Sequence, residues 1–506
     1  MKRVFGLETE YGITVAGAES VDVVAESIEL VRRYTEHGAH MKWDYQLEDP
    51  HLDARGFRAK ELMQDADESA YYEIDKNRPL SFEEIKSDLV LSNGARFYND
   101  HAHPEYSTPE CTTLRQIVAQ DKAGERILAE CARRRNQKLE RAHEVRLYKN
   151  NSDFVGHSYG CHDNYLMRRD LPWDRIVSGI LPFLITRQIF AGAGKMGVEA
   201  ESAASQLGIY QISQRADFFS VLVSIDTMNR RPLVNTRDEP HADTNRYRRF
   251  HVILGDSNMS EWATAVKIGT TSLVLDLIER GEAPQLEIAQ PIDANKSISR
   301  DQTYDWIIEL KDGRKISAID VQRIYLRAAS RVDEAGDEDR QWVLREWETV
   351  LNDLERDAMS TRDRVDWAAK KFLLNALQEE EKLAWTDPWL QSIDLEYHNV
   401  DLESGLNYEL VRQGSMRRFV SEDDIKMSIF NPPETTRAFF RGRSVARFND
   451  EIAAIQWDEV VFTNGASSRR VVLPEAFADA RLEALNQAAR NGKDFAEFIN
   501  AVSAIN

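Results

Sequence analysis

Cysteine is scarce in this chain: Cys111, Cys131 and Cys161 are the only three in 506 residues, and no two stand at a CxxC or zinc-ligand spacing. That excludes a disulfide-stapled scaffold and a cysteine-built zinc site, and leaves reduced thiols in a cytoplasmic protein as the expectation. Long apolar runs are missing too. No stretch approaches the roughly 18 uninterrupted apolar residues of a membrane span, so no membrane partner is expected. The opening residues, MKRVFGLETEYG, lack the apolar run of a signal peptide. Positive charge is in deficit: 65 Lys and Arg against 85 Asp and Glu leave a formal net charge of -20. Phosphate binding runs on Lys and Arg excess, so nucleic acid is not expected as a general partner. Local basic clusters remain, RYRRFH (246–251) and RRR (133–135), the latter either lining a groove or forming a solvated helix face.

What is present is a foldable chain, 42% apolar and 30% charged, long enough for one large core and a smaller domain. RVFGLETEYGITV (3–15) alternates as a strand, and SVDVVAESIELVRRYTEHG reads as an amphipathic helix stopped at Gly38. Residues 40–90 lose periodicity, and an excursion of that length is either functional or disordered. Residues 112–142 carry the clearest helical pattern. EVRLYKNNSD, FSVLVSIDTM and RFHVILGDSN read as strands, and WDRIVSGILPFLITRQIFAG as a buried helix. Residues 317–384 are mostly helical. A small C-terminal domain is expected over 431–506, after a catalytic domain over 1–430, with WDEVVF (457–462) its clearest strand. Polar-faced strands with helices between them imply an α+β fold, an antiparallel sheet covered on one side.

The polar positions of those strands carry the chemistry. Glu8 and Glu10 stand two apart, so both carboxylates leave the same face, roughly 6.6 Å apart at the Cα atoms. Tyr98 and Asp100 repeat the spacing inside FYNDHAHPEYSTPEC (97–111), which packs three carboxylates, two histidines and two prolines into fifteen positions. One such pair alone reads as a solvated face. Several together repel unless a cation neutralises them, and oxygen ligands with an imidazole suit Mg²⁺ or Mn²⁺. His162 and His251 are candidate ligands or hydrogen-bonded structural histidines. FAGAGKMG (190–197) fails as a phosphate loop, because Ile189 and Met196 stand where Gly and Ser or Thr are needed; it reads as a helix end running into a glycine turn. NTRDEPHAD (235–243) sets Arg237 in a loop dense in ionisable groups.

GLETEYG, NGARFYNDHAHPEYSTPEC, YKNN, SYGCHDNYL, NTRDEPHAD, RYRRFHVILGDSN and NPPETTRAFFRG occur in this order between residue 3 and about 462. Together they resemble the Pup ligase and depupylase family, in the carboxylate–amine ligase superfamily with the glutamine synthetase fold. DHAHPEYS and the 40–90 insertion resemble the depupylase branch. The resemblance implies that Glu8, Tyr98, Glu105, His162 and His251 lie around magnesium ions. It implies that Glu10, Arg96, Ser107, Thr108, Asn164 and Arg249 lie near ATP, with Trp457 covering the nucleotide. Asp100 corresponds to the essential aspartate, and Arg237 to a residue near the γ-phosphate and the scissile carbonyl.

The implied activity is deamidation of the C-terminal Gln of Pup and cleavage of the Pup–lysine isopeptide, with ATP and Mg²⁺ as cofactors. Pup, pupylated proteins and a bacterial proteasome are the implied partners. Asp100 either attacks the carbonyl or activates water, and Arg237 stabilises the oxyanion. Two alternatives stand beside this: a Pup–protein ligase on the same fold, and a nucleotide-bound adaptor without chemistry.

Overall fold

The computed structural model describes residues 3–18, 20–34, 43–45, 48–63, 76–154, 156–199, 208–332, 336–465, 468–477 and 479–505. Gly38, the expected helix stop, and parts of the 40–90 excursion lie outside these.

The strands that position the site are β1 (Phe5–Glu10), β2 (Leu52–Asp53), β3 (Phe57–Arg58), β4 (Leu89–Val90), β5 (Arg96–Asp100), β6 (His103–Ser107), β7 (Cys161–Arg168), β8 (Arg231–Asn235) and β9 (Tyr247–Val252). Six of them form one sheet in the order β9-β7-β1-β6-β5-β4, every neighbouring pair antiparallel. Residues directly opposite in such a ladder share a face. Glu8 faces His162 and Ser107, Glu10 faces Glu105, Glu105 faces Tyr98, Asp100 faces His103, and Asn164 faces His251. The register therefore gathers the polar side chains of five strands on one side.

The other side is the core. Phe5, Leu7, Tyr165, Met167, Phe250 and Val252 pack on the helices Leu114–Asn136, Trp173–Thr186 and Glu261–Arg280. Each such side chain, fully buried, contributes roughly 1.5–3 kcal/mol. The Glu261–Arg280 helix is buried on nearly all sides, as its lack of a polar stripe requires. The α+β fold with an antiparallel sheet backed by helices is therefore the fold of this chain.

Several local expectations are corrected. The 3–15 strand breaks at Tyr11, and its second half, Gly12–Ala16, pairs with Glu144–Tyr148 outside the large sheet. The buried helix of 173–191 divides at Arg187. Phe219–Ser224 is a strand as expected and pairs in parallel with β8, apart from the large antiparallel sheet. The described part of the excursion is structured: β2 and β3 form a hairpin, and Phe82–Lys86 is a helix started by a Ser81–Glu84 capping box. All three cysteines are free and buried. The RRR run ends the Leu114–Asn136 helix, with Arg133 and Arg134 paired to Glu130 and Arg135 to Glu26. These arginines are therefore committed to acids of their own surface.

Residues beyond 440 have an apolar core of their own, built on Phe440, Phe448, Phe462 and Phe498 and joined by Trp43 and Val90. Arg437 and Arg441 form ion pairs at 2.7 and 2.6 Å with Glu110, three residues past the end of β6.

Candidate active site

The polar face of the sheet floors a cleft of about 380 Å³, walled by the loops after Ser224 and β8 and by the described part of the excursion. A second, smaller pocket of about 90 Å³ adjoins it and shares Glu8, Ser107, His241, Arg249 and Trp457. Apolar residues of β1 and β7, including Phe5, Leu7, Tyr165 and Leu166, line the smaller one.

Two groupings of ligand atoms lie in the cleft, each with its members' ligand atoms within 4.8 Å of one another: Glu8, His162 and His251, and Glu10, Asp100 and Glu105. In the first, Glu8 is 3.2 Å from His162 Nδ1 and accepts from Arg249 at 3.0 Å and Asn164 at 2.9 Å. Burial opposes its charge, yet His251, His162 and Arg249 together hold its carboxyl below the usual range. In the second, burial and the Asp100 charge push Glu10 up to about 8. Burial and then Asp100, Glu8 and Glu10 push Glu105 well above the carboxylate range. Asp100 goes the other way: burial works against it, but Lys86, bonded at 2.8 Å, and then His101 hold it ionised.

Three crowded carboxylates, two of them driven toward neutrality, form a donor set that a hard divalent cation fits. Gly160 keeps the space between the groupings open. A Cβ there would lie 2.5 Å from His162 Nε2 and 2.7 Å from Glu10 Oε1.

Every residue expected at the metal lines the cleft, as do Asp100 and Arg237. Three features describe their arrangement. Glu105 groups with Asp100 rather than with Glu8 and the histidines. The Tyr98 hydroxyl donates to Glu105 at 2.8 Å, and the Tyr98 ring lies against Arg96, whose guanidinium carbon is 3.9 Å from its centre. Asp100 is paired with Lys86.

Of the residues expected at the nucleotide, Ser107, Thr108, Asn164, Arg249 and Trp457 line the smaller pocket. Glu10 and Arg96 line only the larger cleft. Arg96 is held by Asp88 at 2.7 Å and sits over the Trp43 ring at 4.1 Å, so its fork is largely committed to protein partners. Lys86, His103, Arg215 and Arg231 also line the cleft and escape sequence reasoning. For Lys86 a signal exists: the S-x-x-E of Ser81–Glu84 marks a helix start that ends at this lysine. Arg215 and Arg231 meet at Ser158, bonding its side chain and its carbonyl, and their sequence positions give no hint of that meeting.

The family model described as Pup-ligase protein matches residues 3–461. The chain belongs to the Pup-ligase family. It is 44% identical over 472 residues to the depupylase of Acidothermus cellulolyticus, covering 91% of each chain. Against the Pup deamidase/depupylase of Mycobacterium tuberculosis it is 41% identical over 480 residues, covering 92% of each. A Pup–protein ligase of Acidimicrobium ferrooxidans matches at 39% over 79% of this chain. Among solved structures, the Pup ligase PafA in complex with Pup superposes with a TM-score of 0.77 at 31% identity, covering 99% of this chain and 95% of that one. PafA in complex with ADP gives 0.72 at 33%, covering 86% and 96%.

Proposed function

We propose that the chain hydrolyses the side-chain carbonyl bond at the C-terminus of Pup: it deamidates the C-terminal Gln to Glu and cleaves the isopeptide joining Pup to a substrate lysine. The relatives named depupylase or deamidase are 41–44% identical over nine-tenths of this chain, against 37–40% for the relatives named Pup–protein ligase. A nucleotide, ATP, is retained as cofactor in the smaller pocket, consistent with the ADP bound to PafA. The setting is the cytoplasm, where a bacterial proteasome takes the tagged proteins. Among the described residues no helix is long and apolar enough to cross a membrane. The segment 431–506 is read as a small domain whose Trp457 covers the nucleotide.

The observation that carries this reading is the setting of Asp100: its carboxylate is bonded to Lys86 at 2.8 Å and lies with Glu10 and Glu105 in one group whose ligand atoms are within 4.8 Å of one another. An amide carbonyl is a poor electrophile, so the attacking group must be charged and the developing oxyanion must be met. Lys86 keeps Asp100 ionised and oriented, either to attack the carbonyl carbon or to take a proton from water. Arg237 lines the same cleft, and the oxyanion is assigned to it. Mg²⁺, held by Glu8, His162 and His251 and by Glu10 and Glu105, would neutralise the acidic floor and the nucleotide phosphates. Arg249 and Asn164 fix Glu8 for that purpose, and Tyr98 and Ser107 fix Glu105.

Incubation with Gln-terminated Pup, ATP and Mg²⁺ tests the reading. Ammonia release together with the amide-to-acid mass change is expected. New Pup–protein conjugates in place of both would assign the chain to ligation, and Pup binding with no chemistry would leave an adaptor.

A further inference from the structure

Arg237 is asked to meet an oxyanion, yet its side chain is weakly held. Its nearest ion-pair partner is Glu239 at 3.9 Å, and its Nε is buried without a hydrogen bond. What is firmly held is the backbone: the Thr236 amide donates to the Ser224 carbonyl and the Arg237 amide to Asn235 Oδ1, each at 2.9 Å, and the excursion hairpin adds two bonds on either side of Arg237. The Ala54 amide donates to the Thr236 carbonyl at 2.7 Å, and the Asp238 amide donates to the Leu52 carbonyl at 2.9 Å. Asp53 lies between these two bonds as the bridge partner of Arg237. The side chain of Asp53 is fully buried. It accepts the Thr236 hydroxyl at 2.7 Å, the Arg55 amide at 2.9 Å and the Arg55 guanidinium at 2.9 and 2.7 Å. One turn earlier, the Asp49 amide donates to Glu239 at 2.9 Å.

A buried carboxylate is tolerated only when its oxygens are satisfied, and all the partners of Asp53 are within the hairpin or on the segment that carries Arg237. We infer that Asp53 is a positioning residue for the reaction: through Thr236 and the paired backbone it fixes the direction from which Arg237 enters the cleft. The long excursion thus has a structural task, setting the segment of an arginine whose ion-pair partner in the cleft wall, Glu239, stands 3.9 Å away. Arg169 holds Asp238 from the far side at 2.6 and 2.9 Å, so the segment stays folded when the hairpin contact is lost and only its setting relaxes. Effective catalysis depends on sub-ångström placement of such groups, which is why the effect falls on turnover.

The kinetic half of the test rests on the hydrolase reading; the structural half does not. Asp53→Ala and Thr236→Val are each expected to lower kcat roughly tenfold, with a smaller change in KM. Asp53→Asn, which still accepts the Thr236 hydroxyl, should recover most of that loss. In an Arg237→Gln background, Asp53→Ala should cost nothing more, a non-additivity that a general loss of stability would not produce. Hydrogen exchange at the Ala54 and Asp238 amides should quicken in Asp53→Ala while exchange in β1 and β7 stays as in the parent. Additive kinetic losses, or unchanged exchange at those two amides, overturn the inference. If the protein joins Pup to lysines instead of releasing it, the hydrolase reading falls and the exchange measurement alone decides the clamp.

Discussion

The two groupings in the cleft stand on the same sheet and differ in what surrounds their carboxylates. Glu8 meets two imidazoles, an arginine and an amide, so its negative charge is already answered by the protein. Glu10, Asp100 and Glu105 meet one another, with Lys86 and His101 beside Asp100, His103 3.7 Å from Glu10, and the Tyr98 and Ser107 hydroxyls on Glu105. In the first grouping the protein fixes the charge state of the acid. In the second the charge must go somewhere, and Lys86 decides that it stays on Asp100. On the proposed reading the first grouping holds a cation, and the second both helps to hold one and carries Asp100, the group that reacts, beside the lysine that ends the Phe82–Lys86 helix.

Removing the reacting charge tests this most severely. Asp100→Asn should lower both deamidation and isopeptide cleavage by roughly a thousandfold or more while nucleotide affinity stays near that of the parent. Ammonia release and nucleotide titration give the two readings; comparable loss of both would merge the groupings into one structural unit. Lys86→Met comes next, with kcat reduced on the order of a hundredfold and partial recovery in Lys86→Arg, because one buried charge-assisted bond is lost. Full activity in Lys86→Met would show that the two groupings are electrostatically alike.

A milder variant touches both at once. In Gly160→Ala the added carbon would meet His162 Nε2 and Glu10 Oε1, one atom from each grouping. An increase of roughly tenfold in the Mg²⁺ concentration needed for activity is expected, from displacement of a ligand on either side. A metal titration of wild type against variant reads it, and an unchanged requirement would place the bound cation away from Gly160.

The sequence makes one axis of this arrangement legible and hides the other. Alternation alone puts Glu8 with Glu10 and Tyr98 with Asp100, because a strand has a side-chain period of two and nothing distant can change that. Which strands stand side by side is a property of the whole sheet. That β1 lies between β6 and β7, and so sets Glu10 against Glu105 and Glu8 against His162, follows from no local pattern. The α+β class is readable from polar-faced strands and helical runs for the same reason that the order β9-β7-β1-β6-β5-β4 is not. Lys86 and Asp53 were hidden differently. They sit in short elements of two to five residues, too brief for periodicity to register, and held by tertiary hydrogen bonds rather than by propensity. The resemblance to the family supplied Asp100, Arg237 and the nucleotide residues; geometry redistributed Glu105, Glu10 and Arg96 among them.

Glu110 sharpens the comparison from outside the cleft, since it repeats the surroundings of Glu8 without an imidazole. Burial opposes its charge, but Arg441 and Arg437, at 2.6 and 2.7 Å, bring its carboxyl down to about 2 from the usual 4.5. A carboxyl lowered by folding stabilises the folded state above its unfolded pKa and loses that contribution as pH falls toward the folded value. The contribution is therefore complete above about pH 5 and fades between about 4.5 and 2, worth on the order of 3 kcal/mol at neutrality. Glu110→Gln should melt several degrees below the wild type at pH 7, and the gap should narrow steadily as both are acidified through pH 4. Because the lost pairs join the segment after residue 431 to the loop that follows β6, the early loss should appear in tryptophan fluorescence from Trp457, whose ring lies under Arg441 at 4.8 Å. A gap that stays constant from pH 7 to pH 3 would mean that the pair of arginines holds Glu110 by shape rather than by charge, and the likeness to Glu8 would end there.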